Sequence, residues 1–251
     1  MVKFLVDEGG VIYATLVGNM SVPVFNEVKT VGEIIGRVAQ INIPHEIVVV
    51  DDCSTDGTRE MLSSIRPRTF RLIFNPSNQG KGACVRKALK KAKGRIVVIQ
   101  DADLEYFPEE IPKLVEPIIS GKADMVIGKR VVLRRKMRRY LWGGRLISAF
   151  VSLLYGVKLG DVACCYKALK RNDMERMGLR CDGFDLDFEL VCKGLGMGLR
   201  VREIPVMYEQ RGINEGKKLK VWDGFKAIKI VLECWFTRRL GLSLNNKGDK
   251  E

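Results

Sequence analysis

Asp101-Ala102-Asp103 ends the apolar run Ile96-Val97-Val98-Ile99 after Gln100. Two carboxylates one residue apart, at the C-terminal end of a buried strand, suit a hard divalent cation. Mg²⁺ in particular is held by one or two carboxylates, with substrate phosphates completing its shell. A second acidic pair, Asp51-Asp52, ends the run Ile47 to Val50, and acids at two strand ends point to one shared crevice. Asp52 there can accept hydrogen bonds from a base or a ribose. In Val22-Pro23-Val24-Phe25-Asn26-Glu27 a strand gives way to a helix. Phe25 can stack on a base and Glu27 can accept from a base or ribose, while Asn26 reads equally well as a helix cap. Gln79-Gly80-Lys81-Gly82 places glycines before a helix, where a ligand can approach closely and the helix N-terminus favours anions. The spacing is not that of a Walker A loop, and no GxGxxG follows the first strand, which argues against a dehydrogenase.

These residues need a frame. Val31, Ile34, Ile35 and Val38 recur at helical spacing, and Ile47 to Val50 is the continuous β-branched run of a buried parallel strand. Short strands are expected at 70–74, 96–99 and 125–127, and helices near 58–65, over 80–93 and from Pro108. This βαβα rhythm predicts an α/β fold, a mostly parallel twisted sheet flanked by helices. The second half is less regular: a helix over 145–155, a strand over 162–169, a helix over 185–193 and a strand over 199–206. His45 follows Pro44 and is read as a loop residue. Met1 to Tyr13 reads as a hairpin around Glu8-Gly9-Gly10. The organisation expected is an N-terminal extension over 1–15, a main domain over 16–210, a basic mobile loop over 211–220, an amphipathic helix over 221–241 and a tail over 242–251.

The 251 residues carry a net charge of +13, which favours an anionic partner, although a generally basic proteome would also give it. Nucleic acid is disfavoured, because neither a recognition module nor aromatics interleaved on a basic face are present. The seven cysteines form no CxxC pair; they read as reduced and structural, in a cytoplasmic setting. A single histidine leaves little room for a zinc site or a Ser-His-Asp triad. No apolar run approaches the ~20 residues of a membrane-spanning helix, so membrane contact is expected to be peripheral. Trp222, Phe225, Ile228, Val231, Leu232, Trp235 and Phe236 fall mostly on one helical face beside Lys226, Lys229, Arg238 and Arg239. That pattern fits a helix lying in a membrane interface or one packed on its own domain.

Taken in order, VPVFNE, VVVDDCSTDGT, NQGKGACVRKAL and VVIQDADLEY resemble family 2 glycosyltransferases of the GT-A fold. Gly128-Lys129-Arg130, Arg145 with Ser148, 161–171, 183–189 and 211–218 look like the dolichol-phosphate mannosyltransferase subgroup. The resemblance covers roughly 21–220. It implies metal-dependent, inverting transfer of a hexose, with mannose favoured, from a nucleotide diphosphate sugar such as GDP-mannose or UDP-glucose to a polyprenyl (dolichyl) phosphate. It implies that Pro23, Phe25, Glu27, Val50 and Asp52 surround the nucleoside. Asp101, Ala102 and Asp103 would hold the ribose–diphosphate region, and Asp101, Asp103 and Glu105 a Mg²⁺ or Mn²⁺ ion. Glu105 stands where glutamine is common. Arg130 and Arg145, with Ser148, would receive the acceptor phosphate, and Arg211 and Lys217 would close over the diphosphate.

A phosphate acceptor has a second pKa of about 6 and is already anionic near neutral pH, so it needs no strong base. Asp187 and Glu189 are base candidates for a hydroxyl acceptor; otherwise they orient the arginines or carry helix charge. Arg134 to Arg139 has five basic residues in six positions, suited to an anionic membrane surface at the cytoplasmic face. Two other readings keep the donor half: transfer to a hydroxyl of a polysaccharide, glycolipid or protein glycan, and a non-catalytic nucleotide-sugar-binding subunit. The first strand, with Gly18, Asn19 and Ser21, is less apolar than in many relatives.

Overall fold

The computed structural model describes residues 5–6, 12–13, 17–65, 70–134, 138–211 and 221–240. Residues 212–220 of the expected basic loop, the tail over 242–251, Glu8-Gly9-Gly10 and residues 135–137 of the basic run lie outside them. The first strands, β1 (Leu5–Val6) and β2 (Ile12–Tyr13), pair antiparallel.

Seven further strands make one sheet. They are β3 (Gly18–Val24), β4 (His45–Asp51), β5 (Arg71–Phe74), β6 (Ile96–Ile99), β7 (Met125–Arg134), β8 (Lys167–Lys170) and β9 (Val201–Glu209). Their spatial order is β5-β4-β3-β6-β8-β7-β9. Every pairing is parallel except those of β8, which runs antiparallel to β6 and β7. The C-terminal ends of β3, β4 and β6 therefore open on one edge, and Asp51-Asp52 and Asp101 to Asp103 meet there.

The helices are α1 (Val31–Ala39), α2 (Thr58–Ser64), α3 (Lys81–Leu89), α4 (Ile111–Ile119), α5 (Arg138–Tyr155), α6 (Arg171–Arg176), α7 (Leu186–Gly196) and α8 (Val221–Arg239). A short 3₁₀ turn, Pro108–Glu110, leads into α4. Strand β4 shows why helices must cover both faces: its side chains alternate, and both sets are apolar. Ile47 and Val49 join the main core with the buried stripe of α1, while Val48 and Val50 pack on Cys84 and Ala88 of α3. In β3, Met20, Val22 and Val24 enter the main core, so the strand forms in spite of Asn19 and Ser21, which are fully buried.

Several elements differ from expectation, each for a tertiary reason. Strand β7 continues past Ile127 through Lys129 and Arg130, because β9 pairs with it as far as Arg134. Of the expected strand over 162–169 only the end pairs, as β8; the stretch before it turns to place Asp161 and Cys164 under Arg130 and Gly128. His45 is no loop residue: it begins β4, opposite Gly18 of β3. Helix α5 starts at Arg138, seven residues before the expected helix, and α6 was not foreseen.

Helix α8 packs through a face other than the one carrying most of its large apolar side chains, Val231 being the exception. Ala227, Ile230, Val231 and Cys234 are the buried stripe, while Trp222, Phe225, Ile228 and Phe236 stand exposed. The Trp235 indole Nε1 donates to the Leu154 carbonyl at 2.9 Å, locking α8 to α5. Trp142, Leu146 and Leu153 of α5 are exposed as well. Among the described residues, no helix is long and apolar enough to cross a membrane.

Candidate functional site

The crevice begins where β3 ends. The turn after Val24 is stitched to the Ser54-Thr55-Asp56-Gly57-Thr58 loop. Asn26 N donates to Ser54 Oγ at 2.9 Å, Glu27 N to Thr58 Oγ1 at 2.9 Å, and Thr55 N to the Asn26 side-chain oxygen at 2.8 Å. Asn26 thus ties two loops together and does not cap α1, whose N-cap position is Thr30. Pro23 and Phe25 are half-buried at this edge. Val50 is fully buried against α3, forming floor. The Asp52 carboxylate accepts from Gln79 N at 2.9 Å, Gly80 N at 2.7 Å and Asn75 Nδ2 at 2.7 Å. It therefore anchors the loop entering α3, and only its remaining lone pairs are left for a base or ribose.

The acidic loop after β6 is held by cations from two sides. Lys81 Nζ lies 2.9 Å from Asp101 and 3.4 Å from Asp187, and Lys167 Nζ lies 2.8 Å from the other Asp187 oxygen. Burial works to raise the Asp101 pKa, but the Lys81 ammonium beside it holds it below the ordinary carboxylate value. Asp103 goes the other way: burial first, then the neighbouring charges of Asp101 and Glu105, push it up to about 7. The Arg211 guanidinium partly offsets this, sitting 3.2 Å from Asp103 and forking onto Glu27 at 2.8 and 3.0 Å. Glu105 turns its carboxylate to the Tyr208 hydroxyl, 2.7 Å, and to Arg211 N, 2.7 Å. Ala102 is buried between the two aspartates.

Across Tyr208 from the acidic loop, Arg130 extends from β7 with its guanidinium doubly bonded to Asp161, 2.7 Å from each oxygen. It lies 5.2 Å over the Tyr208 ring. Since Tyr208 also bonds Glu105, one ring separates the arginine from the acidic loop. Gly144 of α5 faces the Arg130 guanidinium, where a side chain would crowd it. Arg145, next in α5, is exposed. Ser148 is buried and accepts from Val162 N at 2.9 Å while donating to Gly144 O at 2.7 Å, so its hydroxyl fastens α5 to the Asp161 loop. Lys217 lies outside the described residues.

Three participants escaped the motif reading: Lys81 as a partner of Asp101, Lys167 beneath Asp187, and Asp161 beneath Arg130. The only sequence signal for Lys167 is a lone lysine in an apolar run. The α3 N-terminus is placed by its glycines: Gly82 N donates to the Asp182 carbonyl at 2.6 Å, and a Cβ on Gly82 would collide with the Cys181 carbonyl. Gly82→Ala is therefore expected to cost about 3 kcal/mol, at the upper end of overpacking, read as a lower urea midpoint.

The donor set suits a hard cation in one form only. Asp101 and Asp103 offer two carboxylates whose mutual repulsion favours a cation between them. With Glu105 turned away, no group of three His, Cys, Asp or Glu side chains among the described residues comes together as a metal site. Two carboxylates plus diphosphate oxygens is the arrangement that remains.

The sequence profile described as glycosyl transferase family 2 matches residues 21–178. The dolichol-phosphate mannosyltransferase of Pyrococcus furiosus is 31% identical over 205 residues, covering 78% of this chain and 57% of that protein. The polyprenol monophosphomannose synthase of Mycolicibacterium smegmatis is 27% identical over 209 residues, covering 78% of each. Among solved structures, glucosyl-3-phosphoglycerate synthase from Mycobacterium tuberculosis, in complex with Mn²⁺, UDP and phosphoglyceric acid, superposes with a TM-score of 0.69 at 19% identity. The superposition covers 88% of this chain and 79% of that one.

Proposed function

The chain belongs to glycosyl transferase family 2 and has the GT-A fold, and from that premise we propose that it transfers a hexose, mannose favoured, from a nucleotide diphosphate sugar to a polyprenyl phosphate at the cytoplasmic face of a membrane. The observation that carries the acceptor class is the state of the two carboxylates that could act as a base. Asp187 is held by Lys81 and Lys167. Glu189 is held by Lys193 and by the Arg180 and Cys181 amides. A hydroxyl acceptor would need one of them to take a proton; a phosphate acceptor, already anionic, needs neither. The names of two curated relatives, a dolichol-phosphate mannosyltransferase and a polyprenol monophosphomannose synthase, support the same choice.

In this reading Phe25, Glu27 and Asp52 line the nucleoside end, and Arg130 and Arg145 receive the acceptor phosphate. The Asp161 fork fixes the Arg130 guanidinium in advance, so little reorganisation is needed when charge arrives. Asp101 and Asp103 would hold a Mg²⁺ or Mn²⁺ ion, which would neutralise the diphosphate as the glycosidic bond breaks. Arg211 and Lys217 add positive charge there, favouring the transition state over the ground state. A direct displacement inverts the anomeric centre. The apolar side chains exposed on α5 and α8, with the basic residues around them, support contact with an anionic bilayer surface.

The test is to incubate the protein with Mg²⁺ or Mn²⁺, a panel of labelled nucleotide sugars, and polyprenyl phosphate in detergent. Label is expected to enter the lipid phase with at least one donor and to disappear with Asp103→Ala. Nucleotide binding without any transfer to lipid would overturn the acceptor, and transfer to a glycan hydroxyl would replace it.

A further inference from the structure

Arg211 has an occupation in this structure that its expected role at the diphosphate does not explain. Its backbone N–H is fixed by Glu105 at 2.7 Å, and Gln210 before it is buried. The backbone is thus anchored at this point. The Arg211 side chain spans Glu27 and Asp103 at 2.8 and 3.2 Å. Asp103 is one of the two carboxylates that fit a divalent cation, and both Arg211 and Asp103 have largely buried side chains. A guanidinium and a divalent cation cannot both lie against one carboxylate in such a setting without strong mutual repulsion.

We propose that Arg211 and the divalent cation are alternative partners of Asp103, so that Arg211 sets the metal affinity of the site. Metal arriving at Asp103 displaces the guanidinium, and the donor diphosphate gives it a new anion. Glu27 keeps it within reach meanwhile. By linkage, whatever draws Arg211 off Asp103 tightens metal binding, and metal binding frees Arg211 for the donor to the same extent. The inference rests on the metal site of the proposed function.

The experiment measures Mn²⁺ binding alone, without nucleotide, by the loss of the free-ion electron paramagnetic resonance signal. It is run at pH 8, where Asp103 is ionised, on the wild-type chain and on Arg211→Gln, Arg211→Lys and Asp103→Asn. An arginine beside a carboxylate changes that group's affinity for a proton by one to three powers of ten. On that scale Arg211→Gln is expected to bind Mn²⁺ roughly tenfold more tightly than wild type. Arg211→Lys, which keeps the charge, is expected to stay within about threefold of wild type on the same scale. Asp103→Asn should lose the tight binding, which assigns the signal to this site. Equal or weaker binding by Arg211→Gln would overturn the proposal while leaving the metal site standing. Absence of Mn²⁺ binding by wild type and Arg211→Gln alike would overturn the proposal, and absence that persists after a nucleoside diphosphate is added would overturn the metal site as well.

Discussion

Asp103→Asn is expected to lower sugar transfer by about 10³-fold, the scale on which losing one preorganised electrostatic contact to the transition state is felt. The substitution keeps volume and shape, and the asparagine oxygen can still accept the Glu105 amide that Asp103 accepts at 3.1 Å. What it removes is the charge. The wild-type enzyme should show an acidic limb of activity near pH 7 at limiting metal, because burial and the charges of Asp101 and Glu105 push Asp103 up to about 7. A bound cation favours the ionised form, so saturating Mn²⁺ should move that limb to lower pH. Stability should respond in the opposite sense. A carboxyl whose folded value lies above its ordinary 3.8 favours folding while protonated. That contribution is present below about pH 4 and lost as pH rises through about 7. Urea denaturation in chelator should therefore show wild type losing stability relative to Asp103→Asn between pH 5 and pH 8. A flat difference across that range would argue that Asp103 is not electrostatically strained.

The acidic motif was readable because its signal is local: a short apolar run followed at once by two carboxylates, with the same device repeated at Asp51-Asp52. The parallel sheet followed from the same rhythm of short apolar runs and helical periods. The partners of these acids were not readable, since they come from far along the chain. Lys81 meets Asp187 across 106 positions, Arg211 meets Glu27 across 184, and Arg130 meets Asp161 across 31. Those distances are closed by topology: β8 lies between β6 and β7, and it carries the Asp161 to Lys167 stretch under both the acidic loop and Arg130. Which face of α8 packs on the domain was open in the sequence for a related reason. Periodicity finds large apolar residues, but the buried stripe is chosen by what α5 and α7 can accept. Here that includes the small residues Ala227 and Cys234, which let helices approach closely. Glu105 shows the limit of motif transfer. The resemblance places this position in the metal's shell, whereas here the Glu105 carboxylate accepts from the Tyr208 hydroxyl and the Arg211 amide, tying the acidic loop to the end of β9.

Glu189→Ala is expected to cost about 3–5 kcal/mol, the penalty for leaving a buried charge without its partner, and this should appear as a large fall in the urea midpoint. Glu189 is fully buried on α7. It lies 2.7 Å from Lys193 Nζ, itself buried, and accepts from Arg180 N at 3.0 Å and Cys181 N at 2.9 Å. Removing it strands an ammonium and orphans two amides at once. The consequence travels, because the next carbonyl, that of Asp182, accepts the Gly82 and Ala83 amides and so seats the start of α3, where Lys81 reaches Asp101. Glu189 is thus three contacts from the acidic motif, all of them structural. The conservative change separates this from catalysis. Glu189→Gln keeps an acceptor for the amides and loses only the charge facing Lys193, so it should be less stable than wild type yet retain most transfer activity at low temperature. A proton-accepting role predicts instead near-complete loss of transfer at temperatures where the variant is fully folded, and only for a hydroxyl acceptor. Measuring both quantities on Glu189→Gln therefore tests the acceptor class. If the glutamine variant folds well and is dead, the phosphate acceptor loses its main structural support.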